Sequence, residues 1–157
     1  MNHDGMSDTK TNQASSINWL SLFLIVAAAV VWFAAPFVAI NYLGWGDQPT
    51  ALQLVTGDFS YLGDLEESPA FWAGITTIIG IGVCFLATLA KVNILTRIVA
   101  ILTEIPLGYV LYQMTKWADD GEELMEILGL GFWGLMALLF LIFCVSGKIS
   151  QTGRIAE

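Results

Sequence analysis

Four long apolar stretches divide the chain, and each is long enough to cross a lipid bilayer as a helix. They cover residues 17–43, 71–90, 92–115 and 127–147. A spanning helix needs about 20 apolar residues. The stretches are continuous rather than alternating, which favours helices over barrel strands because a helix satisfies its backbone polar groups within one segment. The pattern therefore predicts an all-α membrane protein with a four-helix transmembrane bundle over residues 17–147.

Polar segments separate these stretches and predict the tails and loops of the bundle. Residues 1–16 are small and polar and lack apolar periodicity, which is typical of a disordered tail. Residues 148–157 form a second, shorter polar tail. The connection over residues 44–69 is the longest, and its glycines and prolines are expected to end the first helix.

Composition supports the same class of protein. The 157 residues are 56% hydrophobic and 13% charged, whereas an average soluble domain has about 25% charged residues. So few charges leave too little polar surface to cover a water-soluble domain. The membrane helices take up most of the chain, and we expect no second folded domain.

The basic residues predict the orientation, because lysine and arginine concentrate on the cytoplasmic side of membrane proteins. Five of the six lie at one end of the predicted bundle: Lys10, Lys91, Arg97, Lys148 and Arg154. Only Lys116 lies at the other end. We therefore expect a multi-pass protein of the plasma (cytoplasmic) membrane, with both termini cytoplasmic and a longer first outer loop.

Acidic residues gather in the two predicted outer loops and account for most of the net charge of −8. The second loop holds Asp119, Asp120, Glu122 and Glu123. These side chains could bind a hard cation such as calcium, but their spacing is not that of an EF-hand loop. A solvated acidic rim is the favoured interpretation. The negative charge argues against nucleic acid as a partner.

Four tryptophans fall near the predicted outer ends of the helices: Trp45, Trp72, Trp117 and Trp133. Tryptophan is enriched where the bilayer meets water, because its ring is largely apolar and its N–H is polar. We expect these residues to anchor the bundle at the interface rather than to form a ligand cage.

A weak internal repeat relates the first and third helices. Pro36 and Tyr42 match Pro106 and Tyr112 with the same spacing, and a tryptophan follows each pair. The repeat suggests two helical hairpins of similar design. Chance is the alternative, because aromatic residues are expected at the ends of membrane helices in any case.

Glu104 is the one acidic residue within an apolar stretch, near the centre of the third helix. A carboxylate there costs about 2.5–3.5 kcal/mol on insertion scales, so it should face the bundle, be protonated or have a partner. Arg97 and Tyr112 share its helical face, but Arg97 is about 10 Å away along the helix axis. Two interpretations stay open: a proton or cation relay, and a neutral carboxyl that holds helices together.

Motifs for catalysis, metal binding or phosphate binding are absent from the sequence. The single histidine, His3, lies in the amino-terminal tail. Cys84 and Cys144 both lie in apolar stretches, where we expect them to act as small packing residues. We therefore predict no enzymatic activity, no metal site and no cofactor.

The fourth helix opens with an aromatic-glycine motif, Gly129-Leu130-Gly131-Phe132-Trp133-Gly134. With this start and a longer first outer loop, the chain resembles the small uncharacterised four-transmembrane-helix membrane proteins of bacteria over about residues 17–147, mostly in topology. This resemblance implies no known activity. The order of loops is also similar to that of claudin-type proteins. Claudins have an outer-loop cysteine pair that is missing here, and loop 1 is shorter, so no residue role is carried over.

These features predict a small, non-enzymatic integral membrane protein that acts as a subunit or scaffold of a membrane complex. Its expected partners are the lipid bilayer and either other copies of the chain or other membrane proteins. Small residues on the helix faces, such as Gly74, Gly82 and Gly134, would let neighbouring helices approach closely. The alternative is an oligomeric ion or proton transporter or channel subunit that uses Glu104.

Overall fold

The computed structural model describes residues 17–38, 49–56, 69–116, 124–125 and 127–152. Within that part the named elements are α1 Trp19–Ala34, α2 Ala51–Thr56, α3 Pro69–Leu89, α4 Asn93–Met114 and α5 Leu130–Thr152. The predicted all-α class is confirmed. The predicted tail over residues 1–16 and most of the two outer loops lie outside the described residues.

Three of these helices are long and apolar enough to cross a membrane: α3, α4 and the Leu130–Gly147 part of α5. α1 is a shorter apolar helix of 16 residues. Large apolar side chains are exposed on the outside of all four, as expected where the surroundings are lipid rather than water. These helices indicate a membrane-embedded protein, as the apolar stretches predict.

The four longer helices pack in a closed ring. α1 contacts α3, α3 contacts α4, α4 contacts α5, and α5 contacts α1, while the short α2 lies against α3 and α1. The buried residues of α1 recur every three or four positions: Ser21, Ile25, Ala28 and Trp32. This spacing turns one face of the helix toward the shared core.

α1 ends at Ala34, earlier than the predicted span over residues 17–43. The next residue, Ala35, is extended, with φ −94° and ψ 144°. The cause is Pro36, because a proline ring disfavours helical geometry in the residue before it and has no N–H to donate. Residues 35–38, which we call the Pro36 segment, are not helical, and residues 39–43 lie outside the described part of the chain.

The other helix boundaries differ less from their predicted positions. α5 covers Leu130–Thr152, whereas the predicted helix covers residues 127–147. Residues 148–152, predicted as part of a polar tail, therefore lengthen the helix. α3 and α4 differ from the predicted spans of 71–90 and 92–115 by one or two residues at each end, which is the usual spread of helix boundaries.

A tight turn joins α3 to α4. Lys91 has a positive φ of 61°. Its N–H donates to the Thr88 carbonyl at 3.1 Å, and the Val92 N–H donates to the Ala87 carbonyl at 2.8 Å. This pair of bonds is the Schellman arrangement that ends many helices. The turn satisfies the last carbonyls of α3 and holds the two helices as an antiparallel hairpin.

Backbone hydrogen bonds fix the Pro36 segment at one end of the bundle, which we call the Pro36 end. The Phe37 N–H donates to the Pro49 carbonyl at 2.8 Å. On the other side of the segment, the Gly129 N–H donates to the Phe37 carbonyl at 3.1 Å, and the Gly131 N–H donates to the Pro36 carbonyl at 2.7 Å. The segment therefore connects α1 both to the residues before α2 and to the start of α5.

Two glycines of the aromatic-glycine motif allow this close approach because they lack a side chain. A Cβ atom on Gly131 would lie 2.7 Å from the Pro36 carbonyl oxygen, and a Cβ atom on Gly129 would lie closer still to the same oxygen. Beside this contact, the buried rings of Phe37 and Phe132 meet edge to face with their centroids 5.4 Å apart. The motif therefore forms the contact between α5 and the end of α1.

We predict that Gly131→Ala destabilises the protein. The added methyl group would meet the backbone of the Pro36 segment, which cannot move aside as a flexible side chain would. Overpacking of this kind costs about 1–3 kcal/mol. Thermal unfolding of the purified protein in detergent measures the loss as a lower midpoint.

Gly82→Ala is the matched control for this experiment. Gly82 is also helical, but no atom lies within 4 Å of an added Cβ. Alanine should keep or raise the stability there, because it is the better helix former by about 0.5–1 kcal/mol. If the two variants unfold at the same midpoint, the close approach of Gly131 to the Pro36 segment does not affect the stability of the protein, and the prediction is wrong.

Candidate functional site

Several polar side chains within the bundle pair across helices. The hydroxyl groups of Ser21 and Ser146 lie 3.1 Å apart between α1 and α5. Those of Thr88 and Thr96 lie 3.2 Å apart between α3 and α4. Hydrogen bonds of this kind stabilise helix pairs in membranes. These four groups therefore stabilise the fold and are not free for chemistry.

Glu104 differs from these paired groups. Its Oε1 atom is buried and has no hydrogen-bond partner among the described residues, and the residue as a whole is half-buried on α4. A buried carboxyl oxygen without a partner costs free energy, and the cost is greater in an apolar layer than in water. Among the acidic residues, Glu104 is the only one within the described helices, and the fold does not use that oxygen.

The side chain of Glu104 lies on the α5 side of α4. Arg97 is seven residues before it and shares its helical face. Arg97 contacts α5 directly, because its Cζ atom lies 4.3 Å from the centroid of the Phe143 ring. Thr103 marks the neighbouring face, where it fills the space beside Gly80 of α3. Glu104 is therefore placed near the interface between α4 and α5.

The structure does not join Glu104, Arg97 and Tyr112 into one polar site. Arg97 is stacked on Phe143 of α5, about two helical turns from Glu104. Tyr112 is exposed, and its ring centroid lies 4.5 Å from the Lys116 Nζ atom. Within the described residues, no hydrogen bond or ion pair connects the three side chains. Glu104 is the candidate position, and the other two residues belong to separate surroundings.

The four predicted anchor tryptophans are described only in part. Trp72 is 54% exposed near the start of α3, and its role as an anchor stays a prediction. Trp133 is half-buried, and its Nε1 atom has no partner among the described residues. The remaining predicted residues lie outside the described ranges: Trp45, Trp117, Asp119, Asp120, Glu122 and Glu123. The acidic cation site therefore stays a prediction.

Sequence reasoning did not find the role of Trp32. Its ring is buried, and its Nε1–H donates to the Gly74 carbonyl at 3.0 Å, which links α1 to α3. The available signal was an indole in the middle of an apolar stretch, because its N–H needs an acceptor where no water is present. The acceptor itself depends on how two helices align, which one sequence does not specify.

An apolar groove between α1 and α3 is a second feature that the sequence did not predict. Its volume is about 530 Å³. α1 lines it with Ala29, Val30 and Phe33, among others, and α3 contributes Gly82 and Phe85. Gly82 borders open space, since no atom lies within 4 Å of an added Cβ. We refer to this feature as the α1–α3 groove.

The described residues contain no group of three or more histidine, cysteine, aspartate or glutamate side chains that could hold a metal ion. Cys84 is buried, and its thiol donates to the Thr96 carbonyl at 3.5 Å. Cys144 is half-buried on α5 and is also a free thiol. Both cysteines therefore lie within the packed helices.

Comparisons with protein-family models, with curated proteins and with solved structures find no match. The resemblance to the bacterial four-helix membrane proteins accordingly stays a prediction. A fold alone does not determine an activity.

We predict that Glu104→Leu keeps or raises the stability of the protein. The substitution removes a buried oxygen that has no partner, and such an atom costs about 1–3 kcal/mol. Glu104→Gln, which replaces a carboxyl group with an amide of the same shape, should unfold close to the wild-type midpoint. Thermal unfolding of the three proteins in the same detergent tests this order.

The same experiment separates the two interpretations of Glu104. A carboxyl that holds helices together would make Glu104→Leu clearly less stable than the wild type. A carboxyl kept for function would leave the leucine variant as stable or more stable, since functional sites often reduce stability.

Proposed function

We propose that this chain is a non-enzymatic integral membrane protein that acts as a subunit or scaffold of a membrane complex. In this proposal the α1–α3 groove receives a transmembrane helix of another subunit. The groove is the observation that carries the proposal, because it is an open, wholly apolar surface between two helices of the ring.

The lining of the groove suits a helix better than a polar ligand. Its named lining residues are all apolar, and two of the small ones, Ala29 and Gly82, belong to opposite walls. Helices associate in membranes mainly by close packing, and small residues let their backbones approach. The exposed ring of Phe33 adds a large apolar surface beside the groove.

We also propose that α1 crosses the membrane, which makes four spans. Its 16 helical residues correspond to about 24 Å, somewhat less than the apolar layer of about 30 Å. The Pro36 segment continues the path, and the hydrogen bonds at Pro36 and Phe37 satisfy backbone groups that lipid could not. Four spans put both termini on one side, and the basic residues favour the cytoplasm for that side.

Gly82→Leu tests the groove, because Gly82 lines it and no described atom lies within 4 Å of an added Cβ, so the larger side chain begins in open space. We expect the affinity of a co-purified partner to fall about tenfold, which corresponds to a loss of about 1.4 kcal/mol in binding free energy. Gly108→Leu is the matched control, since Gly108 is also helical with no atom within 4 Å of an added Cβ. Native mass spectrometry of protein extracted gently from its own membranes measures the bound partner.

Photo-crosslinking identifies what occupies the groove. One photoreactive residue replaces Val30, which lines the groove and is 59% exposed. The control replaces Ile105, which lies on α4 outside the groove and is 61% exposed. We expect a protein crosslink from Val30 and only lipid adducts from Ile105. A crosslink to a second copy would favour a homo-oligomer. The proposal fails if the wild type is strictly monomeric and Val30 gives no protein crosslink.

A second candidate function is an oligomeric transporter or channel subunit for ions or protons. The buried, unpartnered oxygen of Glu104 favours it, because acidic side chains within membranes often mark ion or proton paths. Four helices alone leave little room for a polar path, so this candidate requires several copies of the chain.

Flux measurements in liposomes test this second candidate. Glu104→Gln should abolish proton or cation flux, because an amide cannot take up and release a proton. Tyr112→Phe is the control, since Tyr112 is exposed and forms no hydrogen bond with Glu104 among the described residues. Equal flux through the wild type and Glu104→Gln would exclude the relay.

A further inference from the structure

The guanidinium group of Arg97 packs against α5 at the end of the bundle opposite to Pro36, which we call the Arg97 end. Its Cζ atom lies 4.3 Å from the centroid of the Phe143 ring. A Cβ atom on Gly147 would lie 3.2 Å from the guanidinium Cζ and Nη1 atoms. The flat group therefore stacks on an aromatic ring and fits over a glycine one helical turn away. We call Phe143 and Gly147 the Arg97 seat.

The seat holds Arg97 by packing and leaves its hydrogen-bond donors unused. A guanidinium group has five N–H donors in a planar fork. Within the described residues, Arg97 forms no hydrogen bond or ion pair. The residue is also exposed on the surface of α4. Its N–H groups are therefore available to a partner outside the protein.

The seat lies near one end of the apolar helices. The apolar part of α5 that is long enough to cross a membrane covers Leu130–Gly147, and Arg97 lies four residues after the start of the corresponding stretch of α4, Asn93–Met114. Arg97 lies near the start of α4, and the hydroxyl pair of Ser21 and Ser146 lies at the same end of the bundle. A long arginine side chain near the end of an apolar helix reaches the headgroup level of a bilayer, because its charged end extends toward the interface.

We propose that Arg97 on its seat binds the phosphate group of an anionic phospholipid. Guanidinium groups bind phosphate oxygens through two parallel hydrogen bonds, and the N–H groups of Arg97 have no partner among the described residues. The basic residues of the chain favour the cytoplasmic leaflet, where anionic lipids are concentrated. This site is separate from the α1–α3 groove and from Glu104.

Native mass spectrometry with added lipid tests the site. The purified protein is titrated with phosphatidylglycerol and, in parallel, with phosphatidylcholine, whose choline group cancels the phosphate charge. We expect the wild type to retain one phosphatidylglycerol preferentially. Arg97→Gln should weaken its retention about tenfold, since charge-assisted hydrogen bonds are lost. Lys91→Gln is the matched control, because Lys91 is an exposed basic residue of the same α3–α4 hairpin and lies over no aromatic ring among the described residues.

Two further arms test the geometry and the source of the phosphate. Arg97→Lys keeps the charge but lacks the planar fork, so it should bind phosphatidylglycerol several-fold more weakly than the wild type while unfolding at a similar midpoint. Equal binding by wild type and Arg97→Lys, or equal losses in Arg97→Gln and Lys91→Gln, would overturn the proposal. If millimolar inorganic phosphate displaces phosphatidylglycerol, the proposal of a lipid ligand is wrong and the site binds free phosphate.

Discussion

The fold depends on the backbone hydrogen bonds that replace helical ones after Ala34. Pro36 ends α1 before it has the length of an ordinary spanning helix, and in an apolar layer every exposed N–H and C=O group must find a partner. Residues 49, 129 and 131 supply those partners to Pro36 and Phe37. The same bonds attach α5 and the segment before α2 to α1, which closes the ring of helices at the Pro36 end. Gly129 and Gly131 are required because any side chain there would occupy the place of the Pro36 carbonyl.

Two prolines in similar sequence settings have different effects, and the difference shows where prediction from sequence stops. The spacing from Pro36 to Tyr42 matches that from Pro106 to Tyr112, which suggested equivalent helices. Pro106 nevertheless lies inside α4, whereas Pro36 ends α1. A proline removes one helical bond in both cases. Whether the chain then leaves the helix depends on acceptors and donors from distant residues. Apolar stretches predicted that helices exist and roughly where, but not this long-range choice.

The candidate site shows the same division. Glu104 could be recognised as a candidate from the sequence, because a single carboxyl group in an apolar stretch is costly to place in the apolar layer of a membrane. Its grouping with Arg97 rested on helical periodicity, which places side chains on a face but does not say what the neighbouring helix offers. α5 offers Phe143 and Gly147 to Arg97, so the guanidinium group stacks there and does not pair with the carboxyl group. The α1–α3 groove could not be predicted from the sequence either, because a gap between two helices depends on how their surfaces pack and not on the residues of one helix alone.

The sequence separation of the bonds at the Pro36 end has a consequence for synthesis. Phe37 and Gly129 are 92 positions apart, whereas the turn at Lys91 joins neighbours and closes with local bonds alone. Chains are made from the amino terminus, and local contacts form sooner than distant ones. The turn of the α3–α4 hairpin therefore needs no residue of α5 and is able to close before α5 is in place. Until the last helix emerges, the carbonyls of Pro36 and Phe37 have no final donors. The nascent chain in that interval is the form that a membrane chaperone or insertase would need to shield.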